Sequence, residues 1–315
     1  RIIERFAPFR ELATLATGFL QTGAMRYAAR EFLVDLTVWY HLGWLGESVR
    51  RSDARVAALV KKGRHYSDAD RRTLLEVIGE LVSGVVPRYR SLAANGRVEL
   101  SVTPYGHPIL PLMLDFSSAR DAIPDCPLPA ETAYPGSEAR VRWHLQAALA
   151  LFEKTFGVRP SGCWPSEGAV SDRALALIEE AGFRWTATGE LVLRNSLTRH
   201  ALWDGEQQVA SLHRAYRIAG RGLNVYFRHD GLSDLIGFSY SKWHGDDAAA
   251  NLTRHLEHLA DVFQGQPERV VAIVLDGENA WEYFPFNGYF FLSALYEQLS
   301  TNTRLELTTF ARCRA

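Results

Sequence analysis

Over the first ninety or so positions of the chain, apolar residues recur at the spacing of amphipathic helices. The two clearest series are Leu12, Leu15, Ala16 and Phe19, followed by Leu33, Leu36, Trp39 and Tyr40. Ser67 and Asp68 then have the composition of a helix start, and a third apolar series follows them. Residues 1–95 are therefore predicted to form a helical region inserted in, or packed on, the main domain.

Beyond Gly96 the pattern changes to short apolar segments that alternate with helical periodicity. The predicted strands are 97–102, 183–188, 224–228, 235–240, 269–275 and 304–308, and the predicted helices are 138–156, 170–181, 252–263 and 288–299. Residues 270–275 show no polar alternation, as expected for a strand buried on both faces.

This alternation of strands and helices predicts an α/β fold with a mainly parallel sheet. Polar and aromatic segments follow the predicted strands, which is where a barrel carries its chemistry. We therefore predict that residues 96–315 form the main part of an irregular (β/α) barrel catalytic domain. An open doubly wound sheet is the alternative, but no G-x-G-x-x-G phosphate loop follows any strand.

Composition narrows the function classes. At 315 residues and 47% hydrophobic the chain can bury a large core, and its formal net charge of −1 gives no basic surface for nucleic acid. No apolar run approaches the roughly 20 residues of a membrane span. Cys126, Cys163 and Cys313 form no disulfide or zinc pattern, and the unpaired thiols favour a cytoplasmic location. Nothing in the composition indicates an oligomeric state.

Two acidic residues stand beside tryptophan and small residues where a strand-like segment gives way to a loop. Glu167 lies in Gly-Cys-Trp-Pro-Ser-Glu-Gly, and Asp276 lies in Leu-Asp-Gly-Glu-Asn-Ala-Trp. Glycoside hydrolysis requires two such carboxylates, and barrel strands bring distant segments together. Each residue also has a purely structural interpretation, Glu167 as an acid in a first helical turn and Asp276 as a turn residue before Gly277.

Four segments, in order, resemble the conserved regions of glycoside hydrolase family 57, which comprises α-amylases, amylopullulanases and 4-α-glucanotransferases. They are residues 102–112, 162–168, 227–238 and 275–282. Four ordered motifs are far more specific than one. The Asp-Gly-Glu-Asn sequence at 276–279 is in the style of the amylopullulanase-like branch.

The resemblance implies an incomplete seven-stranded (β/α) barrel with additional helices and a retaining mechanism. Glu167 matches the family's nucleophile and Asp276 its general acid/base. Glu167 would attack the anomeric carbon while a protonated Asp276 donates to the leaving oxygen, and Asp276 would then activate water or an acceptor sugar. The expected ligand is an α-glucan with α-1,4 or α-1,6 linkages, and no metal or cofactor is expected.

Six further residues near the motifs are candidates for substrate contact. Trp164 and Trp281 flank the carboxylates and are the candidate sugar-stacking platforms, although a single tryptophan is more often a core residue. The candidates for hydrogen bonding to sugar hydroxyls are His107, Arg228, Asp230 and Glu278. A structural role for His107, an internal Arg228–Asp230 ion pair and a contact from Glu278 to Asp276 are the alternatives.

The chain departs from the family pattern in two places. The first motif, His-Gln-Pro, does not occur, and the fifth is not recognisable. Because residues 1–6 have the character of a helix interior, we expect an N-terminal truncation that removes the first barrel strand or strands.

Three other functions compete with glucan hydrolysis. A glucanotransferase or branching-type transglycosylase would use the same two carboxylates. A metal-dependent deacetylase is disfavoured because the close pair His255 and His258 lies on an amphipathic helix and no Asp-Asp motif precedes it. A glucan-binding or regulatory protein would not require both carboxylates at strand ends.

Overall fold

The chain divides into two units in the computed structural model, which describes residues 2–123, 125–202, 208–266, 268–277 and 280–313. The first unit comprises Arg1–Pro87 and the short segment Pro285–Tyr289, and the second comprises Arg88–Phe284 and Phe290–Ala315. The candidate catalytic residues all belong to the second unit.

The first unit is built from helices, as the periodicity of this stretch predicts. They are α1 (Ile2–Arg5), α2 (Ala7–Gln21), α3 (Arg30–Trp44), α4 (Glu47–Ser52), α5 (Ala54–Lys62) and α6 (Asp68–Ala94), the last of which continues into the second unit. Phe9, Trp39, Leu42, Val56 and Leu74 are among the residues that form the core of this unit.

Two buried polar side chains of the first unit, Asp35 and Trp39, are hydrogen-bonded to its backbone. Asp35 on α3 accepts from the backbone N–H groups of His65 and Tyr66 at 2.8 and 3.0 Å. The indole N–H of Trp39 donates to the carbonyl of Gly63 at 2.6 Å. These contacts fix the loop between α5 and α6 against α3, since an unpaired buried polar group is costly.

The second unit contains a four-stranded sheet: β1 (Gly162–Cys163), β2 (Trp185–Gly189), β3 (Tyr216–Arg217) and β4 (Asn224–Arg228). Their spatial order is β1-β2-β4-β3, with β1, β2 and β4 parallel and β3 antiparallel to β4. Single parallel bridges join Val102 to Cys163 and Ala272 to Arg228. Five parallel segments thus run side by side, from Val102 through β1, β2 and β4 to Ala272.

Helices accompany these strands, so this unit has the α/β character that the sequence predicts. They are α7 (Leu110–Leu114), α8 (Ala119–Ala122), α9 (Ser137–Phe156), α10 (Asp172–Glu180), α11 (Glu190–Arg199), α12 (Gln208–Leu212), α13 (Asp230–Asp234), α14 (Gly245–Val262), α15 (Ala280–Tyr283) and α16 (Tyr289–Thr301). Among the described residues, no helix is both long enough and apolar enough to cross a membrane.

Two apolar clusters hold the helices to the strands. The larger includes Val141, Leu145, Ile178, Leu223 and Val225, which join α9 and α10 to the sheet. The other gathers residues of α13, α14 and α16. Position 162 in β1 requires glycine, because a Cβ there would lie 2.0 Å from the ring of Trp185.

Four strand predictions require correction. Residues 235–240 form a π-helical turn (Leu235–Ser239) and then a 3-10 turn (Tyr240–Lys242). The reason is helical spacing, since Leu232, Ile236 and Tyr240 are four residues apart and all enter the same core. The strands predicted at 97–102 and 269–275 are reduced to the single bridges at Val102 and Ala272, and 304–308 contains no regular strand. Conversely, β1 is a strand that the sequence pattern does not predict.

Candidate active site

Acidic and basic side chains collect where the parallel segments end. His107 follows the Val102 segment, Glu167 follows β1, Glu190 follows β2, Arg228 ends β4, and Asp276 follows the Ala272 segment. Because the carboxyl ends of parallel strands share one edge of a sheet, all five residues lie on the side where α/β folds place their chemistry.

Glu167 lies in a tight 3-10 turn, Ser166–Gly168, with an unusual backbone. Its φ of 57° places a non-glycine residue in the left-handed region, and Gly168 follows at φ 65°. The turn is fixed from below, since the Thr188 hydroxyl donates to the Gly168 carbonyl at 2.5 Å and Ser166 is buried. The Glu167 side chain itself is 75% exposed. A rigid backbone therefore presents an accessible carboxylate.

His107 is brought close to Glu167. His107 Nε2 lies 3.8 Å from Glu167 Oε1, a distance that allows an ion pair when the imidazole is protonated. His107 also has a left-handed backbone, with φ 57°, in a turn closed by its N–H donating to the Pro104 carbonyl at 3.0 Å. These two sequence-predicted residues thus come from two neighbouring parallel segments.

The segment that leads to Asp276 is held by β4 and α13. The N–H of His229 donates to the Ala272 carbonyl at 2.8 Å, and Arg228 Nε donates to the Val274 carbonyl at 3.0 Å. The N–H of Val274 in turn donates to the hydroxyl of the fully buried Ser233 at 3.3 Å. Asp276 lies two residues beyond Val274 and is exposed.

Arg228 is engaged by two carboxylates in addition to Val274. Its Nη1 and Nη2 each lie 2.6 Å from a carboxylate oxygen, of Asp230 and Asp234 respectively. Burial lowers the pKa of Arg228, but the two carboxylates more than offset this and raise it above its ordinary value. The internal ion pair considered from the sequence is therefore present, and Arg228 joins β4 to the Asp276 segment.

Sequence reasoning missed two acidic residues at this edge. Glu190 accepts the N–H of Asp230 at 3.2 Å, and Asp234 pairs with Arg228. Glu190 directly follows β2, so its position after a predicted strand could have identified it. No signal in the sequence indicated that Asp234 would pair with Arg228, because that contact depends on the helical conformation of the residues after β4.

The two tryptophans proposed as sugar platforms are partly buried. Trp164 packs against the cluster of Trp185, Ala187 and Tyr226, and the Trp281 ring centroid lies 5.4 Å from that of Phe284. Both side chains thus contribute to cores. Glu278, the remaining sequence-predicted contact, lies outside the described residues.

His229, between Arg228 and Asp230, is the N-cap of α13. Its Nδ1 accepts the N–H of Leu232 at 3.2 Å, and its ring centroid lies 5.2 Å from that of the buried His213. Burial, partly opposed by Glu190, lowers the pKa of His229 below its ordinary value. The neutral imidazole is the form that can accept this capping hydrogen bond.

Within the ranges that the structure describes, no group of three or more His, Cys, Asp or Glu side chains is arranged to hold a metal ion. The charged groups at the strand ends are instead paired with one another or directed to solvent. Two exposed carboxylates, Glu167 and Asp276, at one edge of a sheet are chemically suited to acid, base or nucleophilic work on a neutral substrate.

Comparisons with known proteins converge on one family. The sequence model of glycosyl hydrolase family 57 matches residues 35–313. No curated protein matches the chain significantly. The GH57-type branching enzyme of Pyrococcus horikoshii is a structural relative with 14% identity and a TM-score of 0.57, over 91% of this chain and 57% of that one.

Two further solved structures share the fold. The α-amylase AmyC of Thermotoga maritima has 13% identity and a TM-score of 0.55, over 88% of this chain and 58% of its own. The 4-α-glucanotransferase of Thermococcus litoralis has 19% identity and a TM-score of 0.50, over 76% and 32%. The chain thus spans between 32% and 58% of these proteins, and at such identities the likeness is one of fold.

Proposed function

The chain belongs to glycosyl hydrolase family 57, and on this premise we propose that it is a retaining glycoside hydrolase that acts on α-glucans through Glu167 and Asp276. The observation that carries the proposal is that both carboxylates are accessible and that each lies four residues beyond a parallel segment of one sheet, after Cys163 and Ala272 respectively. The fixed turn at Glu167, with His107 at 3.8 Å, supports the assignment of Glu167 as the nucleophile.

In the first half-reaction a Glu167 oxygen attacks the anomeric carbon and the glycosidic C–O bond breaks. Asp276 gives its proton to the departing sugar oxygen, and the glucosyl unit remains as an ester of Glu167. In the second half-reaction Asp276 takes a proton from an incoming hydroxyl, whose oxygen displaces Glu167 from the sugar. Water as the acceptor gives hydrolysis, and a sugar hydroxyl gives transfer, the alternative activity of this site.

Other residues complete the proposal. His107, beside Glu167, would hydrogen-bond a hydroxyl of the glucosyl unit at the nucleophile. Arg228 and Asp230 would border the substrate, and Arg228 would also keep the Asp276 segment in place through Val274. We further propose that residues 96–315 form part of an irregular (β/α)7 barrel, that residues 1–95 form a separate helical region, and that the nearest branch is amylopullulanase-like.

The test is an assay of the protein on maltooligosaccharides and pullulan, with Glu167→Gln and Asp276→Asn. Each variant should lose at least about a thousandfold in rate, because the two groups act in the same catalytic cycle. Chromatography of the products then distinguishes hydrolysis from transfer.

Matched controls come from exposed acids on the same segments. Asp172 follows Glu167 by five positions and Glu282 follows Asp276 by six. Asp172→Asn and Glu282→Gln should keep activity within a few-fold of wild type, since surface substitutions rarely disturb a fold. Full activity in Glu167→Gln or Asp276→Asn would disprove the assignment. A protein that binds α-glucan without cleaving it would favour the binding-protein interpretation.

A further inference from the structure

Two exposed aromatic side chains, one of them two residues before His107, have no part in the proposal above. Tyr105 is 46% exposed and Trp143 on α9 is 57% exposed. Their rings meet edge to face, with centroids 5.6 Å apart and planes at 90°. Part of each aromatic side chain is therefore accessible to a ligand.

The backbone beneath this pair is rigid. The N–H of Tyr105 donates to the carbonyl of His144 at 3.1 Å, and His144 Nδ1 lies 2.5 Å from the carbonyl of Tyr105. The imidazole of His144 also packs edge-on against Trp143, with ring centroids 5.0 Å apart. A surface held in this way is preorganised, so little conformational entropy is lost when it is covered.

Tyr105 is linked to the proposed catalytic site through His107. Tyr105 precedes His107 by two residues in one tight turn, and His107 Nε2 lies 3.8 Å from Glu167 Oε1. His144, which contacts both aromatic residues, also helps to line a cleft of about 300 Å³ with Ile109, Met113, Phe116, Tyr134 and Arg140. Apolar walls with a few polar groups are typical of small-molecule sites.

We propose that Tyr105 and Trp143 form a stacking subsite for glucosyl units of an α-glucan chain next to the bond that is cleaved. A pyranose ring has an apolar C–H face and a polar rim of hydroxyls, which suits an aromatic surface bordered by His144. This subsite rests on the proposed function, because the occupant is the same glucan. It would add to the stacking platforms predicted from the sequence at Trp164 and Trp281.

The experiment measures binding of maltoheptaose by calorimetry in the Glu167→Gln background, where turnover is blocked. Adding Trp143→Ala should weaken binding about tenfold, an effect the size of one lost aromatic contact. Adding Trp143→Phe should recover most of the affinity, because an aromatic face remains. Circular dichroism and the unfolding midpoint establish that each variant is folded.

The chain offers a matched control in Tyr40 and Trp44, a second exposed aromatic pair, which are 53% and 50% exposed on α3. Trp44→Ala should leave maltoheptaose binding within about twofold of the parent. Equal losses in Trp44→Ala and Trp143→Ala, or no loss in Trp143→Ala, would overturn the subsite.

The outcomes also separate the subsite from the function on which it rests. If the parent binds maltoheptaose and the added Trp143→Ala substitution does not weaken that binding, the subsite alone is refuted. A parent that binds no maltoheptaose refutes the substrate class, and the subsite with it. If Trp143→Ala instead dissociates a dimer in sedimentation and leaves the glucan affinity unchanged, a second copy of the chain is the occupant and the subsite is wrong.

Discussion

The segments that carry Glu167 and Asp276 are positioned by different physical means. Glu167 is held locally, in a left-handed turn that hydrogen-bonds to Thr188 underneath. Asp276 has no left-handed backbone of this kind, and its segment is instead held by the neighbouring β4 and α13 through Ala272 and Val274. One carboxylate thus depends on the conformation of its own residue, and the other on contacts made two to four residues before it.

Because of this difference, a substitution can disturb the position of one carboxylate and leave that of the other unchanged. A change in β4 or α13 should loosen the Asp276 segment and leave the Glu167 turn intact. A change of backbone preference at Glu167 should affect only its own turn. The two segments meet in the proposed chemistry, but their stabilities are set by separate interactions.

The largest expected effect is that of Arg228→Met. The substitution removes the donor to the Val274 carbonyl and leaves Asp230 and Asp234 without their cation. We expect the free energy of unfolding to fall by about 1–3 kcal/mol, since the partners are only partly exposed. Urea unfolding measures this loss. Hydrogen exchange should also quicken in residues 270–276 and stay unchanged in 162–168.

The matched control for Arg228→Met is Arg217→Met on β3. Arg217 is exposed and donates to Asn224 Oδ1 at 2.8 Å, so its loss should cost less than about 0.5 kcal/mol. Equal acceleration of exchange in both carboxylate segments of Arg228→Met would contradict the separate positioning of the two groups.

Glu167→Gly is expected to raise the free energy of unfolding, by less than Arg228→Met lowers it. Glycine adopts φ 57° without the steric cost that a side chain carries there, and the exposed carboxylate forms few contacts. The variant should therefore be inactive yet about 0.5–1 kcal/mol more stable than wild type. Thermal unfolding of Glu167→Gly beside Asp276→Gly checks this, because only the first should gain stability. A loss in both would show that the Glu167 turn stores no strain.

The fold was predictable where local pattern and tertiary environment agree. Residues 224–228 were predicted as a strand and form β4. Its three central apolar residues are all buried, as expected for a strand inside a sheet. Residues 235–240 have an apolar content similar to that of β4, but they follow α13. Their conformation is helical because Ile236 and Tyr240 continue the four-residue spacing that begins at Leu232. Periodicity judged over six residues could not distinguish the two.

The candidate site was predictable in its strand-end positions but not in its pairings. Glu167 and Asp276 were predicted from their tryptophan-rich surroundings and their match to family motifs, and both lie beyond parallel segments of the sheet. The engagement of Arg228 by Asp234 depends on the turn that follows β4, and the burial of Trp164 depends on residues such as Tyr226, far along the chain. Sequence proximity to a carboxylate therefore does not determine how far a side chain is buried.

The smallest expected effect concerns the His229 cap beside the Asp276 segment. Burial lowers the pKa of His229 in the folded protein, so between its folded and unfolded pKa values the unfolded chain binds more protons. The stability contributed by neutral His229 is thus present above its ordinary pKa, near 6.5, and is lost as the pH falls below it. His229→Asn keeps a capping acceptor for the Leu232 N–H but cannot titrate. Its free energy of unfolding should therefore fall less than that of wild type between about pH 7.5 and about pH 5.5, by under about 1 kcal/mol.

Urea unfolding across this pH range, with His244→Asn as the control, isolates the contribution of His229. The His244 side chain is 72% exposed, so its removal should leave the pH dependence unchanged. The groups that act on His229, namely Glu190, Asp230 and His255, are the same in both variants and cancel in the comparison. If His229→Asn follows the wild-type curve, His229 takes up its proton without loss of the cap. The contrast between the two segments would then be confined to backbone strain and hydrogen bonds.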